Sequence, residues 1–64
     1  MKAAHLTYDH VGRTLVTGTG SKRKRAVILD LDYKDSYIVV KTRTAHGDIR
    51  PLVLANGQDI ETEQ

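Results

Sequence analysis

The sequence predicts an all-β domain, and three observations predict it. Apolar and polar residues alternate at period two, β-branched residues are frequent, and turn-forming residues recur at short intervals. No window sustains an apolar stripe at helical spacing. With 64 residues there is one domain at most, so residues 1–64 read as a single unit near the lower size limit for an independent core. The chain has no cysteine, which removes disulfides and thiolate metal sites as sources of extra stability. Tight strand packing, self-association or a bound partner must then supply it.

The elements follow in order. A first strand is predicted over residues 5–8 and a second over 13–17, joined by a turn at 9–12, with Leu6 facing Leu15. Residues 18–24 connect to a hairpin whose strands are 25–32 and 37–44. A loop at 33–36 puts Leu31 opposite Ile38, Leu29 opposite Val40 and Val27 opposite Thr42, so one face is apolar throughout. In the next hairpin a three-residue loop pairs Val40 with Leu52 and Ile38 with Leu54, and it places Gly47 where a positive φ is wanted. Pro51 lacks an N–H, so its strand belongs at an edge or carries a bulge. Asn56 and Gly57 mark the last bend before a brief strand around Ile60.

The result is a five-stranded antiparallel meander. Two packed layers cannot be built from so few residues, so the sheet must curl over Leu6, Leu15, Val27, Leu29, Leu31, Ile38, Val40, Leu52 and Leu54. A small SH3-like barrel is expected, alternatively an OB-like one.

Charge is distributed unevenly. The net value is +2, but residues 1–25 carry six cations against the single Asp9, a balance of +5, whereas residues 26–64 carry −3, and their acidic tail 59–64 is expected either to fold back on the basic third or to repel acidic partners. Lys22, Arg23, Lys24 and Arg25 are consecutive. The glycines before them do not make a phosphate-binding loop, because Lys22 is followed by arginine and a strand comes next rather than a helix. Read electrostatically, four adjacent cations on an exposed connection suit phosphate contacts to DNA or RNA; the plainer reading is a solvated, charge-protected bend. On the non-core face, Tyr37, Lys41 and Arg43 extend that candidate surface, as does Arg13 from the second strand. Asp30 and Asp32 share the face, and cross-strand pairing with Lys41 is its plainer explanation.

The same face supplies a second candidate. Ile28, Val39 and Val53 would be exposed together in a flat sheet; either the curl of the sheet buries them, or they form a protein interface or a homo-oligomer contact. His5, His10 and His46 lie in separate turns or strand ends, so no metal site is expected, and neither is a cofactor. No nucleophile elbow or paired-carboxylate frame is present, and a non-enzyme is expected. No apolar run is long enough to cross a membrane as a helix, and nothing resembles a signal-peptide core, so a cytoplasmic protein is expected. The expected function is nucleic-acid binding through the basic loop. The rival is a protein-interaction module, of the kind a phage or mobile element uses against a host protein.

Overall fold

The structure, a computed structural model, describes residues 1–63. Five strands, β1 (Thr14–Thr17), β2 (Lys24–Tyr33), β3 (Tyr37–Arg43), β4 (Ile49–Ala55) and β5 (Glu61–Glu63), form one antiparallel sheet in the order β4-β3-β2-β1-β5. The chain is all-β in its extended elements, as its period-two pattern requires. Two expectations are corrected. After β4 the chain crosses to the far edge and pairs β5 with β1, so the path is not a simple meander. The sheet is strongly curled but not closed into a barrel, because β4 and β5 share no ladder among the described residues.

The N-terminal segment fills the opening. The amides of Ala3 and Ala4 donate to the carbonyls of Gln58 and Asn56 at 2.9 and 3.0 Å, and Ala3 and Leu6 are fully buried. This corrects the strand expected over residues 5–8. In its place are two single 3-10 turns, Ala3–His5 and Tyr8–His10, linked through extended residues. Local chemistry stabilises the second turn. The Thr7 amide donates to Nδ1 of His10 at 3.0 Å, which satisfies one of the donors a helical start leaves open. Two tyrosines then tie this segment to β2. The Tyr33 hydroxyl donates to the Leu6 carbonyl at 2.7 Å, the Tyr8 hydroxyl to the Leu31 carbonyl at 3.3 Å, and the two rings meet edge to face at 5.9 Å.

The hairpin of β3 and β4 has the expected register. Val40 pairs with Leu52 and Ile38 with Leu54, and Gly47 has φ +87° in the three-residue loop. Pro51 lies on an edge strand, as expected. The Thr44 amide bonds the Asp48 carbonyl at one end of the ladder and the Asn56 amide bonds Ser36 at the other, so the even-numbered pairs exchange hydrogen bonds. Ile49, Pro51 and Val53 therefore turn their backbone groups outward, to the open edge. Proline costs this ladder nothing and removes a donor from the edge that could recruit another strand.

The hairpin of β2 and β3 corrects the expected register. Leu31 pairs with Val40, not Ile38, and Ile28 pairs with Thr42; the ladder shifts between Ile28 and Asp30, leaving Leu29 as a bulge residue. The cause is a conflict of parity. Toward β1, Ala26 opposite the buried Leu15 sets the even positions inward, whereas toward the hairpin tip Leu31 and Tyr33 must meet Val40 and Ile38. One extra residue reconciles the two. Ile28 becomes fully buried and Val27 becomes exposed, reversing their expected places. The core is Ala3, Leu6, Leu15, Ile28, Leu31, Ile38, Val40, Leu54 and Ile60, with Leu52 packed against it. Each fully buried Leu or Ile contributes about 1.5–3 kcal/mol.

β2 is longer than β1, so its distal half lacks a neighbour on one side. Leu31 has its outward backbone groups satisfied by side chains instead. Its amide donates to Oδ1 of Asp30 at 2.8 Å, and its carbonyl receives the Tyr8 hydroxyl.

Candidate nucleic-acid interface

The register decides which cations share a surface. Thr14 pairs with Val27, which pairs with Arg43, and Arg43 pairs with Ile49; all four lie on the outer face, opposite the core. Alternate residues along a strand are about 7 Å apart and return to the same face. Arg23 and Arg25 therefore stand on this face above Val27, and Lys41 below Arg43. Arg23, Arg25, Arg43 and Lys41 form one row of cations, passing from β2 to β3 and continuing into Val39 and Tyr37.

Not every expected residue joins that row. Lys24 pairs with Thr17 and alternates to the opposite side, and Lys22 ends the single 3-10 turn Gly20–Lys22. Arg13 precedes Thr14 and alternates away from the outer face, its carbonyl accepting the Ile28 amide at 2.9 Å. The basic stretch is thus not a loose loop tip. The turn is held by the Lys22 amide on the Thr19 carbonyl at 3.1 Å, and β2 begins at Lys24.

Two of the row's cations already hold partners. Arg23 Nη2 donates to Glu61 at 2.7 Å and Arg25 Nε to Glu63 at 3.0 Å. Since β1 lies between β2 and β5, each pair spans the middle strand. Val16, only 2% exposed, lies between the two diagonals with its side chain on the same face. The expected folding back of the acidic tail onto the basic third is seen here, as Glu61 and Glu63 meeting Arg23 and Arg25. Which carboxylate meets which arginine depended on β5 crossing to β1.

Lys41 and Arg43 make no ion pair among the described residues. Asp30 stands directly opposite Lys41, yet its carboxylate bonds the Leu31 amide, while Asp32 pairs with Lys34 at 3.1 Å. The Asp32 contact, together with the ion pair's charge, raises the Lys34 ammonium above its ordinary range. Cross-strand pairing of Asp30 with Lys41, the plainer sequence reading, is a matter of register here and not of contact.

The expected apolar cluster is reduced. Ile28 is in the core and cannot belong to a surface, which corrects its assignment as an interface residue. Val39 pairs with Val53 on the outer face, and Ile49 and Pro51 extend the patch along β4; Ile49 is 54% and Val53 62% exposed. A groove of about 350 Å3 opens between them, lined by Leu31, Val39, Ile49 and Pro51 and bordered by Asp30, Asp32 and Lys41.

Of the histidines, His10 serves as the cap already described, and among the described residues no three metal-ligating side chains come together. No helix among the described residues is long and apolar enough to cross a membrane. No protein-family model, curated protein or solved structure matches the chain.

Proposed function

We propose that this chain is a small non-enzymatic nucleic-acid-binding module, contacting phosphates through the outer-face row Arg23, Arg25, Arg43 and Lys41, with Tyr37 at the end of the row. The supporting observation is the bulged register, which aligns cations separated by up to 20 positions in sequence on one face at strand spacing. The ion pairs of Arg23 and Arg25 do not cancel this. All four side chains are between 42% and 66% exposed, and pairs of that kind contribute at most about 1 kcal/mol. Lys22 and Lys24 add charge at the upper end of the row.

The test is a titration of labelled single-stranded DNA, RNA and duplex at several salt concentrations. Four phosphate contacts to a single strand give a slope of about −3 for log affinity against log salt. Arg43→Ala weakens binding and flattens the slope by about one contact's worth. Absence of binding to all three probes at low salt removes the proposal.

A second reading has its own observation. Half-buried Val39 with exposed Ile49, Pro51 and Val53 forms an apolar patch on a chain with a small core, which suits docking of a protein or of a second copy. Because Pro51 weakens edge pairing, the contact in this reading is through the face. Sedimentation of the wild type and Val39→Glu separates the two readings, since a self-associating face loses its oligomer while phosphate binding persists.

A further inference from the structure

We infer that Glu61 and Glu63 are built-in competitors for Arg23 and Arg25, so that β5 gates the upper half of the phosphate-binding row. This rests on the nucleic-acid reading above and adds to it a regulation of the same surface.

The geometry leaves little alternative use for these carboxylates. β5 is three residues long, lies at the edge of the sheet and pairs only with β1 among the described residues. Its two acids are the alternate residues on the outer face, and each reaches across β1 to one arginine. Both bonds use guanidinium N–H donors, the groups that a phosphate takes. A guanidinium committed to a carboxylate is not free to make the same contact with a phosphate. The pairs also lie over Val16, so the closed arrangement covers an apolar side chain. A notch of about 190 Å3 lies beside Glu61, lined by Val16, Gly18, Thr19 and Asp59 among others.

Two consequences follow. Ligand must displace both carboxylates before it engages all four cations, so the wild type binds more weakly than the row alone allows. Lys41 and Arg43, unpaired among the described residues, provide the first contact, and Arg23 and Arg25 join as the pairs open.

The experiment compares wild type, Glu61→Gln/Glu63→Gln and Asp9→Asn/Asp35→Asn in binding a labelled single-stranded oligonucleotide at low salt. The control removes the same charge at two acids that form no ion pair among the described residues. Freeing the arginines raises affinity by up to about fivefold per carboxylate, the ceiling for one exposed ion pair, and the control raises it clearly less. Equal rises in the two variants overturn the gate, because overall charge then explains both. Binding by wild type with no gain in Glu61→Gln/Glu63→Gln also overturns it, leaving the nucleic-acid reading intact. No binding by any of the three overturns that reading and the gate together. A second measurement needs no variant: on adding oligonucleotide to isotope-labelled wild type, the Arg25 Nε and Glu63 carboxylate signals shift together. An unmoved Glu63 signal in the saturated complex overturns the gate.

Discussion

β3 pairs with β4 on one side and with β2 on the other, and the two ladders obey different constraints. The β3–β4 ladder is regular through seven pairs, ends in a short loop with one glycine at positive φ, and has no further strand beyond it among the described residues. The β2–β3 ladder is interrupted at Leu29 because β2 serves two neighbours whose inward positions have opposite parity. An edge hairpin takes its register from its own turn and pattern; a central strand must also satisfy the strand behind it.

The largest test of that difference is in the core. Ile28→Ala is expected to cost 2–5 kcal/mol in denaturant unfolding, as for a fully buried aliphatic side chain, whereas Val27→Ala costs under about 1 kcal/mol. The reverse order would restore an unbulged ladder with Val27 inside. Next come the glycines of the two connections. A Cβ on Gly18 would lie 2.5 Å from the Lys22 carbonyl oxygen at φ +80°, while one on Gly47 meets nothing within 4 Å. Gly47→Ala therefore costs about 1 kcal/mol, from backbone conformation alone. Gly18→Ala costs more, and a melting comparison showing equal losses would mean the β1–β2 turn is not tightly wound.

Smaller effects are expected at the surface. Arg25→Gln changes stability by less than about 1 kcal/mol, since its ion pair is exposed, yet it weakens oligonucleotide binding at low salt. A large stability loss would assign the ion pairs that span β1 to β5 a structural role instead. The smallest effect is at acid pH. Hydrogen bonding to Lys2, and then that ammonium's charge, hold the Asp59 carboxyl below its ordinary range. A carboxyl whose folded pKa is depressed contributes stability above its unfolded pKa, and that contribution disappears as pH falls through the folded value. Asp59→Asn should lower stability slightly at neutral pH, converge with wild type at low pH and so flatten the profile through that acidic window; an unchanged profile would remove the Lys2–Asp59 pair from the account.

Much of the candidate surface was legible as residue types and little of it as geometry. Tyr37, Lys41 and Arg43 sit on the outer face of β3, where alternation placed them, because the Ile38 and Val40 side chains had to go inward. The four consecutive cations read as one patch in sequence. They divide in space because a strand starting at Lys24 sends neighbours to opposite sides. Ile28 was misplaced for a related reason: Val27, Leu29 and Leu31 form a perfect alternating set, and only the presence of β1 makes the bulge preferable.

What the sequence determined alone is therefore the class of structure and the β3–β4 hairpin. Period-two patterning and a short glycine-containing loop are local properties, and they act on the chain wherever it goes. The tertiary structure decided the parity of β2, the crossing of β5 to β1 and the meeting of Arg23 and Arg25 with Glu61 and Glu63. Those features depend on contacts between segments up to 49 positions apart, and such contacts exist only once the sheet has curled around a common core.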